Sequence, residues 1–490
     1  MIPLINHSRQ FSAGIAIRDA GGYYSYAQLH RDARRIAANL LAYNLPGNQP
    51  VLMLIPSGFN YVAVQWGIWL AGHIAVPAHT AHTADEISYL LQDTGATLFI
   101  YDQQLREKAE GTFQKINCML IPAETLFLEQ AAISLPEVDP ADNAMLIYTS
   151  GTTGKPKGVA ITHSQLHAQV RSLSEAWAWH SSDHILNVLP MHHVHGIINI
   201  TCCALYNGAL CEMYPSFDAE QVAAIMASGR LTLFMAVPTI YHKLIQYFET
   251  LSDGEQSTWQ QGMQKIRLMV SGSAALPVPV LEKWRQISGQ VLLERYGMTE
   301  IGMALSNPLQ GQRIPGYVGR PLPGVSVMLV GDDGETIKMP GTPGQIYVKG
   351  ATVFREYWKR PEETAGSFDN GWFKTGDIAA FDEEGNYRIL GRNSSDIIKS
   401  GGYKISALEI ENLLLEHPDV KECAVVALPD EEWGETIAAA LLTGTDIDQL
   451  KAWTKERLAP YKVPRRWLAV TTLPRNAMGK IIKNDVKKLF

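Results

Sequence analysis

Residues 148–158 read Tyr148-Thr149-Ser150-Gly151-Thr152-Thr153-Gly154-Lys155-Pro156-Lys157-Gly158. Hydroxyls and bare backbone N–H groups are the donors a triphosphate takes up, and glycine lets the backbone approach closely. Lys155 and Lys157 bring positive charge. The run is not a Walker A loop, because Gly154-Lys155 is followed by Pro156 where Ser or Thr would hold magnesium. A Ser/Gly linker is the plainer alternative, but such linkers rarely carry lysines in this arrangement.

Further runs are equally rich in chemistry. Residues 270–277 end an apolar stretch in small residues, Ser273-Ala274-Ala275, which leaves room for a flat ring against the backbone. Residues 294–300 read Glu-Arg-Tyr-Gly-Met-Thr-Glu. There Tyr296 offers a ring face, Thr299 a hydroxyl, and Glu300 a hard oxygen suited to Mg²⁺. Asp377, after Thr375-Gly376, can accept two hydrogen bonds. Residues 399–405 and 474–480 are Gly-, Ser- and Lys-bearing loops, the second ending in Lys480. In residues 190–196, His192 and His195 are spaced like metal ligands, yet no nearby Cys, Asp or Glu completes a zinc set.

These runs follow strand-like segments. Apolar runs at 51–55, 74–77 and 97–101 alternate with helix-like runs at 61–71 and 85–92, and the rhythm returns at 231–237, 266–270 and 291–293. Alternation of this kind implies βαβ units and parallel sheets, which bind ligands beyond the carboxyl ends of their strands. Residues 324–350 turn to Gly, Pro and short Val/Ile strands, as in a small β subdomain. A polar stretch at 391–396 follows a strand at 387–390, and helices are expected at 407–416 and 448–458 in a compact α+β tail.

The fold class expected is therefore α/β. A large N-terminal domain of mostly parallel sheets flanked by helices spans 1–391, with a β subdomain over about 324–391. A hinge follows at 392–396, and a small α+β C-terminal domain at 397–490. At 490 residues more than one core is expected. The chain is 46% hydrophobic and 19% charged, with a net charge of −7. That balance suits a globular protein and argues against nucleic acid as a general partner. Five cysteines without paired spacing fit a reducing compartment. No signal-peptide pattern or bilayer-length apolar run is read, so a cytoplasmic protein with no membrane partner is expected.

The loop at 148–158 resembles the phosphate-binding signature of the adenylate-forming (AMP-binding) superfamily of acyl-CoA synthetases, carrier-protein adenylation domains and luciferases. The other runs match that family's motifs in order. The resemblance implies ATP, Mg²⁺ and coenzyme A as cofactor and co-substrates. Nucleotide contacts would come from Thr149, Ser150, Gly151, Thr152, Thr153, Gly154, Lys155 and Lys157. Ser273, Ala274, Ala275, Tyr296, Gly297, Met298 and Thr299 would line the AMP site, with Asp377 and Arg392 at the ribose. Lys480, Thr299, Glu300 and His195 would be catalytic, with Glu300 also holding the metal. Ser400, Gly401, Gly402 and Tyr403 would face coenzyme A after the small, mobile C-terminal domain swings. The commoner family hinge has two residues between its arginine and its acidic residue. Here three (Asn393, Ser394, Ser395) separate Arg392 from Asp396, so the pivot stays open between Ser394 and Ser395.

Residues 266–277, 292–305, 354–358 and 396–409 look closest to the malonate–CoA ligase branch. His195, Ser273 and Lys243 would form its acyl site. Lys243 stands where bacterial malonyl-CoA synthetases carry an arginine that pairs with the distal carboxylate. An ammonium there would attract a carboxylate by about 4 kcal/mol in a partly screened site. The reaction implied is acid–CoA ligation with release of AMP and pyrophosphate, on malonate or methylmalonate, within fatty acid metabolism. A short- or medium-chain acyl-CoA synthetase and a ligase loading a carrier protein are the alternatives.

Overall fold

The computed structural model describes residues 1–113, 118–129, 133–149, 155–393, 396–400, 403–475 and 481–490, without the side chains of Phe113 and Lys404. Among these, the strands form four sheets. The seven-stranded sheet runs Glu356–Tyr357, Lys157–Thr162, Asn143–Thr149, Ile74–Pro77, Pro50–Leu54, Leu98–Tyr101, Met119–Pro122. From Asn143–Thr149 onward it is parallel. All five residues of Pro50–Leu54 are buried, as continuous apolar strands covered on both faces should be. Helix Phe59–Leu70 buries ten of its twelve residues, so its lack of a polar face marks an interior helix.

The nine-stranded sheet positions most of the site. Strands His184–Asn187, Leu233–Ala236, Leu268–Ser271 and Leu293–Met298 lie side by side and parallel, with Ala236 opposite Ser271 and Ser271 opposite Glu294. Their carboxyl ends therefore bring residues 237–243, 272–275 and 299–300 to one sheet edge. A third sheet, of Val325–Val330, Gly344–Gly350, Phe368–Asp369, Trp372–Phe381 and Tyr387–Arg392, is antiparallel. The fourth joins Ile397–Ser400, Tyr403–Ser406, Val420–Asp430, Gly434–Thr443 and Arg466–Ala469. Apolar side chains from Ile398 onward pack into clusters of their own around it.

The mixed α/β architecture expected from the sequence is present. The strand expected at 387–390 extends to Arg392, because Arg392 pairs with Asp377 across the ladder. The C-terminal helices are shorter than expected, Ala407–Leu414 and Ile447–Lys455. Among the described residues, no helix is long and apolar enough to cross a membrane.

The hairpin that carries the Lys155/Lys157 run leads into helix His163–Ala176 through a capping box. Gln165 N donates to Thr162 Oγ1 at 3.1 Å, and Thr162 N donates to Gln165 Oε1 at 2.8 Å. Thr162→Ala removes one partner of this pair, and denaturant unfolding should register a loss of about 1 kcal/mol.

Candidate active site

Leu268–Ser271 ends at Gly272, and Ser273 follows in the left-handed region with φ 71°. A Cβ at Gly272 would lie 2.5 Å from Arg295 Cζ. A side chain there would have to push the buried Arg295 guanidinium off the bare backbone. Ser273 Oγ and His195 Nδ1 share a hydrogen bond of 3.2 Å, and Arg295 Nη2 reaches Ser273 Oγ at 3.4 Å. Ser273, Ala274 and Ala275 are exposed, whereas His195 and Arg295 are buried behind them, Arg295 to 4% exposure.

This buried pair is unusual in its electrostatics. Arg295 has no acidic partner among the described residues, and its Nε, like His195 Nε2, lacks a hydrogen-bond partner. Burial pulls the Arg295 guanidinium down to about 9. Burial, and then the charge of Arg295, hold the His195 imidazole well below its ordinary range, so it is neutral at pH 7. His195 opens the wide-turned helical segment His195–Cys202, a geometry frequent at functional positions. The Gly196 carbonyl accepts from Asn187 Nδ2 at 3.1 Å and Thr201 Oγ1 at 2.9 Å. His192 packs on His193 and His79, with centroids 3.8 and 4.5 Å away.

Lys243 is not brought to Ser273 or His195 by any described contact. Helix Pro238–Phe248 buries Ile240, Tyr241, Leu244 and Ile245, which turns Lys243 outward. Its ammonium lies 6.0 Å from the centre of the Phe217 ring. The buried cation beside the expected acyl residues is Arg295, which the sequence reading passed over. Its position inside the 294–300 heptad was the available signal.

Three of the expected nucleotide residues meet at Asp377. Tyr296 Oη donates to Asp377 Oδ2 at 2.6 Å, and Arg392 Nε donates to Asp377 Oδ1 at 3.0 Å. Gly297 sits at a bulge where a Cβ would fall 2.1 Å from Gly302 O, so the strand can close there only without a side chain. Met298 and Thr299 are half-buried at its end. Glu300 is buried, and its Oε1 accepts from Tyr357 Oη at 3.0 Å. Burial raises its carboxyl pKa, against the donation from Tyr357.

Thr149 stands opposite Lys157 in the ladder. Lys157 pairs with Glu363 and lies 5.3 Å from the centre of the Tyr357 ring, and Lys155 lies 5.6 Å from that of Tyr89. Ser150, Gly151, Thr152, Thr153, Gly154, Gly401, Gly402 and Lys480 lie outside the described residues.

Ser400 is buried and accepts from Arg465 Nη1 at 3.3 Å. Arg465 lies 4.1 Å from the Trp433 ring centre. Tyr403, 56% exposed, stacks on Tyr461 at 4.4 Å. This aromatic and basic cluster was also missed. The run Tyr461-Lys462-Val463-Pro464-Arg465-Arg466-Trp467 was its signal. Among the described residues, no group of three or more His, Cys, Asp or Glu could hold a metal ion. Glu300 alone suits Mg²⁺, which commonly takes one carboxylate plus substrate phosphates. A cation would also restore the ionised form that burial disfavours.

An unpaired buried guanidinium costs stability below its own pKa of about 9, where folded and unfolded chains are both protonated. The cost falls away as the pH climbs from about 9 toward the ordinary arginine range. Arg295→Met should therefore unfold at higher denaturant than wild type at pH 7, by on the order of 1–4 kcal/mol. The advantage should shrink at pH 10.

The AMP-binding enzyme family pattern matches residues 6–358, and that of the AMP-binding enzyme C-terminal domain matches residues 409–480. The chain is 42% identical to the protein named mitochondrial malonate–CoA ligase ACSF3 of Mus musculus, over 99% of this chain and 90% of that one. It is 40% identical to the malonate–CoA ligase of Arabidopsis thaliana, over 97% of this chain and 86% of that one. The crystal structure of ATP-bound MatB from Rhodopseudomonas palustris superposes with a TM-score of 0.90 at 31% identity, covering 99% of this chain and 98% of that one. The chain belongs to the AMP-binding enzyme family.

Proposed function

We propose that the chain is an ATP-dependent malonate–CoA ligase. A malonate carboxylate oxygen attacks the α-phosphorus of ATP, and pyrophosphate leaves. The coenzyme A thiol then attacks the acyl carbonyl of malonyl-AMP, the thiol proton passes to solvent, and AMP leaves. Likeness to named malonate–CoA ligases over nearly the whole chain supports the reaction class. The observation that carries the substrate is Arg295, a buried cation 3.4 Å from Ser273 Oγ. The distal carboxylate of malonate supplies the missing counter-charge and can bond the guanidinium bidentately. A monocarboxylic acid would leave the charge buried and unpaired. One methyl separates malonate from methylmalonate and discriminates only roughly 10–200-fold.

The remaining roles are assigned from the family resemblance. Tyr296, its hydroxyl tied to Asp377, presents its ring to adenine. Asp377 and Arg392 take the ribose, and Thr299 takes the α-phosphate. The loop from Thr149 to Lys157 takes the outer phosphates. Glu300 would hold Mg²⁺, which when bound would neutralise phosphate charge. Neutral His195 shapes the acyl pocket with Ser273. Lys480 is assigned to the adenylation transition state, and Gly401-Gly402 to the pantetheine path. The Trp433, Arg465, Tyr403 and Tyr461 cluster suits the aromatic, anionic nucleotide end of coenzyme A.

We assign 1–391, with a β subdomain over about 324–391, to one domain, 392–396 to the hinge, and 397–490 to the other. The break between the third and fourth sheets supports this division. We also assign the protein to the cytoplasm and its product to fatty acid metabolism. The five free, buried thiols favour a reducing compartment.

The test is pyrophosphate release with malonate, methylmalonate and butyrate. Wild type should favour malonate over butyrate strongly in kcat/KM. Arg295→Met should collapse that ratio by roughly 30-fold or more, the cost of truncating a buried charge pair. Lys243→Met should leave it nearly unchanged. Collapse in Lys243→Met alone would return the anchor to Lys243, and a wild-type ratio near one would favour the short- or medium-chain reading.

Separately, Lys480→Ala should abolish malonyl-AMP formation yet spare thioester formation from supplied malonyl-AMP. Equal loss of both half-reactions would count against the role assigned to Lys480.

A further inference from the structure

Glu300 and Lys157 belong to different sheets. Glu300 follows a strand of the nine-stranded sheet, and Lys157 begins an edge-region strand of the seven-stranded one. Tyr357 touches both. Its short strand pairs with the Lys157 strand, Tyr357 opposite Val159. Its hydroxyl donates to Glu300 Oε1 at 3.0 Å, and its ring centre lies 5.3 Å from Lys157 Nζ. The ring is itself fixed. It meets the Phe354 ring edge-on with centroids 4.8 Å apart, and Tyr357 N donates to Thr364 Oγ1 at 3.0 Å. Phe354 N in turn donates to Glu300 O at 2.7 Å, so the backbone of the same segment also grips the carboxylate-bearing residue.

A magnesium triphosphate presents a hard cation and anionic oxygens a fixed distance apart. A site for it needs a carboxylate and an ammonium held at the matching separation. We infer that Tyr357 is a positioning residue that sets the spacing of the Glu300 carboxylate and the Lys157 ammonium for a magnesium triphosphate. The inference rests on the ATP-dependent reading above. Tyr357 makes no bond to substrate in this account. It orients Glu300 through its hydroxyl and steadies Lys157 through its ring face, as cations over aromatic rings are steadied.

Tyr357→Phe separates the two contacts, since the ring stays packed and only the hydroxyl is lost. The measurement is Mn²⁺ binding, followed by electron paramagnetic resonance, in the presence of a non-hydrolysable ATP analogue. Loss of one hydrogen bond to a charged group should weaken Mn²⁺ binding roughly tenfold or more. The KM for Mg·ATP should rise similarly, while the KM values for malonate and coenzyme A stay within about twofold. On a Glu300→Gln background, Tyr357→Phe should add almost nothing, as expected of two groups acting as one unit. Wild-type Mn²⁺ binding left unweakened by Tyr357→Phe overturns the inference alone. So does an equal loss across all three substrates, or full additivity with Glu300→Gln. A wild type that binds no Mn²⁺ with the nucleotide overturns both this inference and the ATP-dependent reading.

Discussion

The Asp377 carboxylate is the joint on which the rest of the site depends. One oxygen accepts from Tyr296, at the end of the nine-stranded sheet, and the other from Arg392, on the last strand of the third sheet. Its own backbone N–H donates to Thr375 Oγ1, which donates onward to Ile346 O. Three strands from two sheets are thereby referred to one nearly buried charge. A charge in that setting is tolerable only while its donors stay in place, and stranding it costs about 3–5 kcal/mol. The chain reaches Asp396 and the fourth sheet a few residues after Arg392, so the same carboxylate anchors the root of the connection between the two parts.

Arg295 and His195 are built on the opposite plan. Buried polar groups normally find partners, yet each side chain bonds Ser273 through one nitrogen and leaves another, His195 Nε2 and Arg295 Nε, without a partner. Asp377 is satisfied by protein, whereas Arg295 has no acidic partner among the described residues. An unpaired charge costs stability at that point of the sheet edge, which is the cost the proposed malonate anchor would turn to selectivity. Glu300 lies between these extremes. It has one donor in Tyr357 and a raised pKa from burial.

Much of this was legible in the sequence. Apolar runs and their alternation marked the parallel strands to within a few residues, because continuous apolar segments have few other uses. The motif order singled out Tyr296, Asp377 and Arg392, which the fold joins, and the ladder places Asp377 opposite Arg392. Arg295 was harder to read. In a half-exposed strand, alternation would have separated Glu294 and Tyr296 from Arg295. Here both faces are covered, and Leu293, Glu294 and Arg295 are all buried, so period-two reasoning says nothing about which matters. Lys243 is the reverse case. The helical spacing of Ile240, Tyr241, Leu244 and Ile245 already turns position 243 outward, and the motif's appeal outweighed that periodicity. Trp433 and Arg465 meet only through the fourth sheet, a long-range pairing that no local pattern encodes.

The antiparallel pairing of Asp377 with Arg392 also constrains how this gene can change length. Side chains on a strand alternate between faces, so gaining or losing a single residue within either strand, between this pair and the turn, would turn Arg392 to the opposite side of its sheet. Only changes in pairs, or a single insertion absorbed by a bulge, would leave the guanidinium on the carboxylate. The ladder already contains one such offset, between Ile378 and Ala379. The turn at Asp382–Asn386 is closed on itself by hydrogen bonds from Asn386 N and Asn386 Nδ2 to the Asp382 carboxylate. Length variation among natural descendants of this chain should therefore avoid the two strands and fall, if anywhere in the hairpin, at its exposed tip.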